Sequence, residues 1–144
     1  MSQSSGGRRP LRSAGALFAG LLVGVVLSLG TDEALHLLKV YPPWGQVMSD
    51  GLFGLATAYR IVYSVLGSYV AARLAPNRPM WHAMFLGYAG VVVSSIGAAA
   101  TWNHQPSLGP HWYPVALVVV CLPCSWCGGW LRETQLRSLA GHNS

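Results

Sequence analysis

Acidic residues are nearly missing from this sequence. Asp32, Glu33, Asp50 and Glu133 are the only four among 144 residues, and all charged residues together make up 9%. Soluble domains carry about 25% charged residues, so the deficit argues against an ordinary soluble fold. No carboxylate falls in the middle of an apolar run. That speaks against a proton antiporter of the small multidrug type, which needs a membrane carboxylate to carry the proton. The nine Lys and Arg residues form no long basic run, so nothing points to nucleic acid as a partner. No nucleophile–base pair and no phosphate-cradling glycine loop is present. No catalytic residue is nominated, and the expectation is a protein that is not an enzyme.

Apolar residues, by contrast, reach 52%. They gather into four runs at 13–30, 51–72, 80–101 and 112–131. A helix needs roughly 20 mostly apolar residues to span a bilayer. The expected fold is all-α membrane: four transmembrane helices in an antiparallel bundle. Residues 1–12, polar and basic, read as disordered, and residues 132–144 as a polar tail. The basic start and first apolar run also resemble a secretory signal peptide. The run is longer than the roughly 7–15 residues of a signal core, so a retained helix is preferred.

Lys and Arg set the expected orientation. Arg8, Arg9 and Arg12, Arg73 and Arg78, and Arg132 and Arg137 lie on one side, against Lys39 alone on the other. Positive charge marks the cytoplasmic side, so both termini are expected there. The tryptophans agree, with Trp44, Trp102 and Trp112 at one interface and Trp81, Trp126 and Trp130 at the other. The 31–50 connection is expected to hold a short amphipathic turn capped by Thr31, broken at Pro42 and Pro43. Pro123 is expected to bend the fourth helix.

Arg60 stands out, about 14 Å into the second run at 1.5 Å per residue. A charge there costs roughly 2.5–3.5 kcal/mol on insertion scales and needs partners. Tyr59 and Tyr63 flank it. Thr57, Ser64, backbone carbonyls or an acid from another chain are further candidates. Its functional reading is an anion contact or the lining of a path. Small residues supply the packing faces. Gly20-x-x-x-Gly24 lies on the first run, and Gly87, Gly90 and Gly97 form a seam on the third. Helices one and three are therefore expected to meet through their glycines.

Two sets of ligating residues need weighing. Glu33-x-x-His36 puts a carboxylate and an imidazole on one helix face, and His104 and His111 fall in the other loop at the same end. Together they suggest a metal or haem site, against a plain reading as interfacial polar residues. Cys121, Cys124 and Cys127 recur every three residues on one helix face. A fourth iron–sulfur ligand in the usual place is missing, so packing is the preferred reading. No cofactor is expected, with haem or metal as the alternative.

Several stretches carry a resemblance. They are Tyr41-Pro42-Pro43-Trp44-Gly45 with Met48 and Ser49, residues 56–63, residues 72–76 with Arg78-Pro79-Met80, residues 100–103, and Gly109-Pro110-His111-Trp112-Tyr113-Pro114. In these the chain resembles a group of small four-helix bacterial membrane proteins that has no assigned activity. The resemblance implies a multi-pass protein of the bacterial inner membrane and implies nothing about chemistry. The functional expectation is a protein that acts by association, as a homo-oligomer or as an accessory subunit of a membrane complex. Its partners would be the bilayer and itself or another membrane protein. The alternatives are a redox protein using the histidines, or a small permease or channel lined by Arg60.

Overall fold

The computed structural model describes residues 8–104 and 108–142. It holds four α-helices: α1 (Arg8–Leu37), α2 (Asp50–Leu74), α3 (Pro79–Thr101) and α4 (Trp112–Gly141), with no strand among the described residues. Three stretches are long and apolar enough to cross a membrane, Arg9–Leu37, Pro79–Thr101 and Trp112–Gly141. The arginine-bearing α2 is not among them.

The helices are longer than the apolar runs. Helix α1 starts at Arg8 and ends at Leu37, so Arg8–Arg12 of the segment expected to be disordered is helical, and residues 1–7 lie outside the described residues. Thr31 does not cap a separate turn. It sits inside α1, because Thr31-Asp32-Glu33-Ala34 contains no breaker and the next proline after them is Pro42. The end comes at Lys39, which adopts a left-handed φ of 58°. Helix α4 likewise runs through Pro123 and continues to Gly141. The expected polar tail is therefore helical through Gly141, aided by an i,i+4 pair of Glu133 and Arg137 at 3.6 Å. Residues 143–144 lie outside the description. Ahead of α3, Arg78 takes a left-handed φ of 44° and Pro79 occupies the first turn, where its missing N–H costs nothing.

Neighbouring helices alternate in direction. Helix α2 touches α1, α3 and α4, and α3 packs along α4. We call the end with the α1–α2 and α3–α4 connections the loop end, and the opposite one the terminal end. Close approach depends on glycine. A Cβ on Gly20 would lie 2.5 Å from the Gly67 carbonyl oxygen, and one on Gly128 would lie 2.6 Å from the Val65 carbonyl oxygen. These contacts weld α1 to α2 and α4 to α2. Gly87 and Gly90 face Ser125 and Cys121 on α4, not α1. The expected glycine contact between helices one and three is thus corrected. Gly20 and Gly24 turn to α2, Gly87 and Gly90 turn to α4, and Gly97 meets nothing within 4 Å. The reason is the position of α2, whose own Gly67, Ser68 and Ala71 are buried and let it sit between α1 and α4.

These contacts predict opposite signs for two substitutions. Gly128→Val drives a side chain into backbone and lowers the stability of the purified protein by about 1–3 kcal/mol or more. Gly97→Ala enters open space and raises it by about 0.5–1 kcal/mol, the helix cost of glycine. Denaturation followed by circular dichroism measures both.

Candidate functional site

Arg60 meets its counter-charge within the chain. Its Nη2 donates to Asp32 Oδ2 at 2.6 Å, with 26% and 16% of the two side chains exposed. Asp32 lies on α1, one turn and a little more before the helix ends. The expectation that Thr57, Tyr63 or Ser64 satisfies Arg60 is replaced by this pair. The Thr57 hydroxyl donates instead to the Phe53 carbonyl at 2.9 Å, and Tyr63 bonds Thr31 at 2.8 Å.

A ring of tyrosines surrounds the pair. The Tyr59 hydroxyl donates to Asp32 Oδ1. With that proton committed, Tyr41 donates to the Tyr59 oxygen at 3.1 Å. The Arg60 guanidinium carbon stands 5.8 Å from the Tyr59 ring centre and 5.7 Å from that of Tyr113, within range of cation–π attraction. Tyr113 in turn packs on Phe53 with centroids 4.8 Å apart. Asp32 thus accepts from two donors, and the arginine is held between two aromatic faces.

The α1–α2 connection closes over this cluster. Tyr41 is buried, with its N–H on the Leu35 carbonyl at 3.1 Å. His36 stacks on Trp44 at 3.9 Å and meets Tyr41 edge-on at 5.3 Å. Its Nδ1–H donates to the Asp32 carbonyl at 2.8 Å. A carbonyl only accepts, so this bond places the proton on Nδ1.

The proposed ligand set does not come together. Glu33 is exposed, and the His111 Nε2–H donates to the Trp102 carbonyl at 3.1 Å. His104 lies in the α3–α4 connection. Among the described residues no group of three or more His, Cys, Asp or Glu side chains is placed to hold a metal. The three cysteines are free thiols. Cys121 donates to the Leu117 carbonyl at 3.0 Å and sits 3.8 Å from the Ser94 hydroxyl, while Cys124 is buried. Two polar features fall outside the expected set. Ser68 and Ser125 share a buried hydrogen bond at 3.1 Å between α2 and α4. His82 is buried at the terminal end, with Nδ1–H on the Arg78 carbonyl at 3.2 Å and no partner for Nε2 among the described residues.

A groove of about 410 Å³ opens between α1 and α3, with α2 and α4 as its floor. Gly20, Gly24, Gly87 and Gly90 line it, and Arg60 lies at the end nearer the loops. A second, smaller cavity of about 270 Å³ lies at the loop end around Phe53, Gly97, Trp102 and Tyr113.

Comparison with protein-family models, with curated proteins and with solved structures finds no match for this chain. The site is read from its own geometry.

The ion pair predicts non-additive losses. Arg60→Gln and Asp32→Asn should each cost about 2–3 kcal/mol, somewhat below a fully buried pair because both side chains are partly exposed. The double variant should lose clearly less than the sum. Denaturation midpoints of the purified protein measure this, and additive losses would separate the two residues.

Proposed function

We propose that the chain is a four-span protein of the bacterial inner membrane that acts by association, as a homo-oligomer or as an accessory subunit, without catalysis. In this reading α2 is the fourth span and both ends face the cytoplasm. Several observations support it. Helix α2 is 25 residues long and carries its one mid-helix charge already paired. The basic residues of the terminal end outnumber the single Lys39 of the loop end. Trp44, Trp102 and Trp112 sit at one level and Trp81, Trp126 and Trp130 at the other, all exposed, as headgroup-level anchors are.

The observation that carries association is the use of glycine. Gly20, Gly67, Gly87, Gly128 and Gly129 are consumed by contacts inside the chain, whereas Gly97, like Gly15, Gly30 and Gly54 on the other helices, meets nothing within 4 Å. Gly97 lies on an exposed face of α3 with Val93 and Ile96. A helix glycine without an internal contact costs about 1 kcal/mol against alanine. A partner helix packing closely at that point would recover it.

Gly97→Leu tests the reading, since a Cβ at this position meets nothing within 4 Å in the single chain and the residue borders a cavity that can take a longer side chain. Native mass spectrometry of protein ejected from its own membranes should show the multi-chain or partner-bound species reduced about tenfold or more. Unchanged assembly in a folded variant would contradict the proposal.

A further inference from the structure

The groove between α1 and α3 has a direction. Counting along each helix, Leu29, Arg60, Ser94 and Leu117 line it nearest the loop end, and Gly20, Ser68, Leu86 and Ser125 nearest the terminal end. From Gly20 to Leu29 it runs about 13 Å at 1.5 Å per residue. The loop end carries the charge of Arg60, and the remainder is apolar, small or hydroxyl-bearing.

The polar end holds unspent hydrogen-bonding capacity. A guanidinium has five N–H donors. Among the described residues its only hydrogen bond goes to Asp32, and the side chain is partly open to the groove. A donor left without an acceptor in a partly buried site is costly. Asp32 already balances the charge, so the missing partner is a neutral acceptor and not an anion. Arg60 reaches the level of Tyr113, the second residue of α4 and the neighbour of Trp112. Trp112 is exposed, as headgroup-level residues are, which puts the guanidinium within reach of the ester region.

The volume selects the rest of the occupant. A helix about 10 Å across would need about 1,000 Å³ over that length, more than twice the 410 Å³ present. With a methylene at about 30 Å³, close to the share of a water in the liquid, the groove has room for one acyl segment along its length.

We infer that this groove binds one acyl chain of an ester lipid from the leaflet at the loop end, with the ester carbonyl accepting from Arg60. The inference is separate from the association face at Gly97. It makes Arg60 a ligand contact as well as half of an ion pair. It also gives Gly24 a reason to be glycine, because a Cβ there would meet only the Tyr63 carbonyl oxygen, at 3.7 Å, and any longer side chain would fill the groove.

The test uses the full chain in vesicles of dioleoyl phosphatidylcholine and phosphatidylglycerol. These carry a trace of phosphatidylcholine with a mid-chain diazirine, in an ester-linked or an ether-linked form. After irradiation, adducts are mapped by mass spectrometry. With the ester probe, adducts should concentrate on Leu21, Val25 and Leu86 over outward residues such as Phe18 and Val26. The ether probe, lacking the carbonyl, should label the groove about three- to tenfold less. Gly24→Leu should lower groove labelling about tenfold and leave the outward labelling unchanged, with Val26→Phe as an outward control that spares the groove. Equal labelling by the two probes would overturn the Arg60 contact. Labelling that follows exposure alone, or that ignores Gly24→Leu, would overturn the site. Groove residues shielded from lipid and cross-linked to a second copy would replace the acyl chain with protein.

Discussion

The Asp32–Arg60 pair is the contact on which the architecture depends. Arg60 is held between Tyr59 and Tyr113 with only 26% of its side chain exposed, where a lone charge is expensive. Its partner must come from a helix that reaches the same level, and α1 does so only by running past its apolar stretch to Leu37. The 2.6 Å contact then ties the loop end of α1 to α2. Tyr59 and Tyr41 follow in a hydrogen-bond chain from Asp32. His36 and Trp44 stack behind Tyr41 and hold the connection down. One paired charge thereby orders a loop that two prolines would otherwise leave extended.

Away from that end, small residues carry the packing. Helix α2 is the hub because Gly67 and Ser68 let Gly20 and Gly128 bring backbones against it from two sides. The pairs α1–α2 and α3–α4 are close, and α1 stands back from α3. The groove follows from this: two hairpins joined through α2 and α4 leave a lateral opening where the outer helices do not close. Its mouth is the one place where the ion pair and the groove meet, which joins the structural role of Arg60 to a ligand-binding one.

Much of the fold was legible from residue pattern. The four helices and their alternating direction follow from apolar runs and short, proline-marked connections. The exposed side of α2 carries Leu55, Val62 and Leu66, and its small residues Ala56, Gly67, Ser68 and Ala71 are buried. The pairing of the arginine did not follow, although a signal was present. Ala16, Gly20, Gly24, Ser28, Asp32 and His36 recur every four residues, one unbroken ridge that winds slowly round the helix. Reading Gly30-Thr31 as the end of a span and the start of a cap cut that ridge before its charged member. The glycine seams were also visible, but the choice of neighbour was not. Spacing shows that a face is small, and only the position of α2 decides what fills it. Tyr113 sits next to an interfacial tryptophan and gave no sign in sequence that it would cover a guanidinium.

The central claim is that the charge of Arg60 is met within its own chain, by Asp32. Solid-state NMR of the protein in bilayers, with the Arg60 guanidinium labelled in nitrogen and the Asp32 carboxyl in carbon, measures that contact by dipolar recoupling. Mixing differently labelled chains separates contacts within a chain from contacts between chains. The account predicts strong dephasing, consistent with a 2.6 Å nitrogen–oxygen pair, only when both labels are on the same chain. No dephasing, or dephasing that appears only between chains, would contradict it.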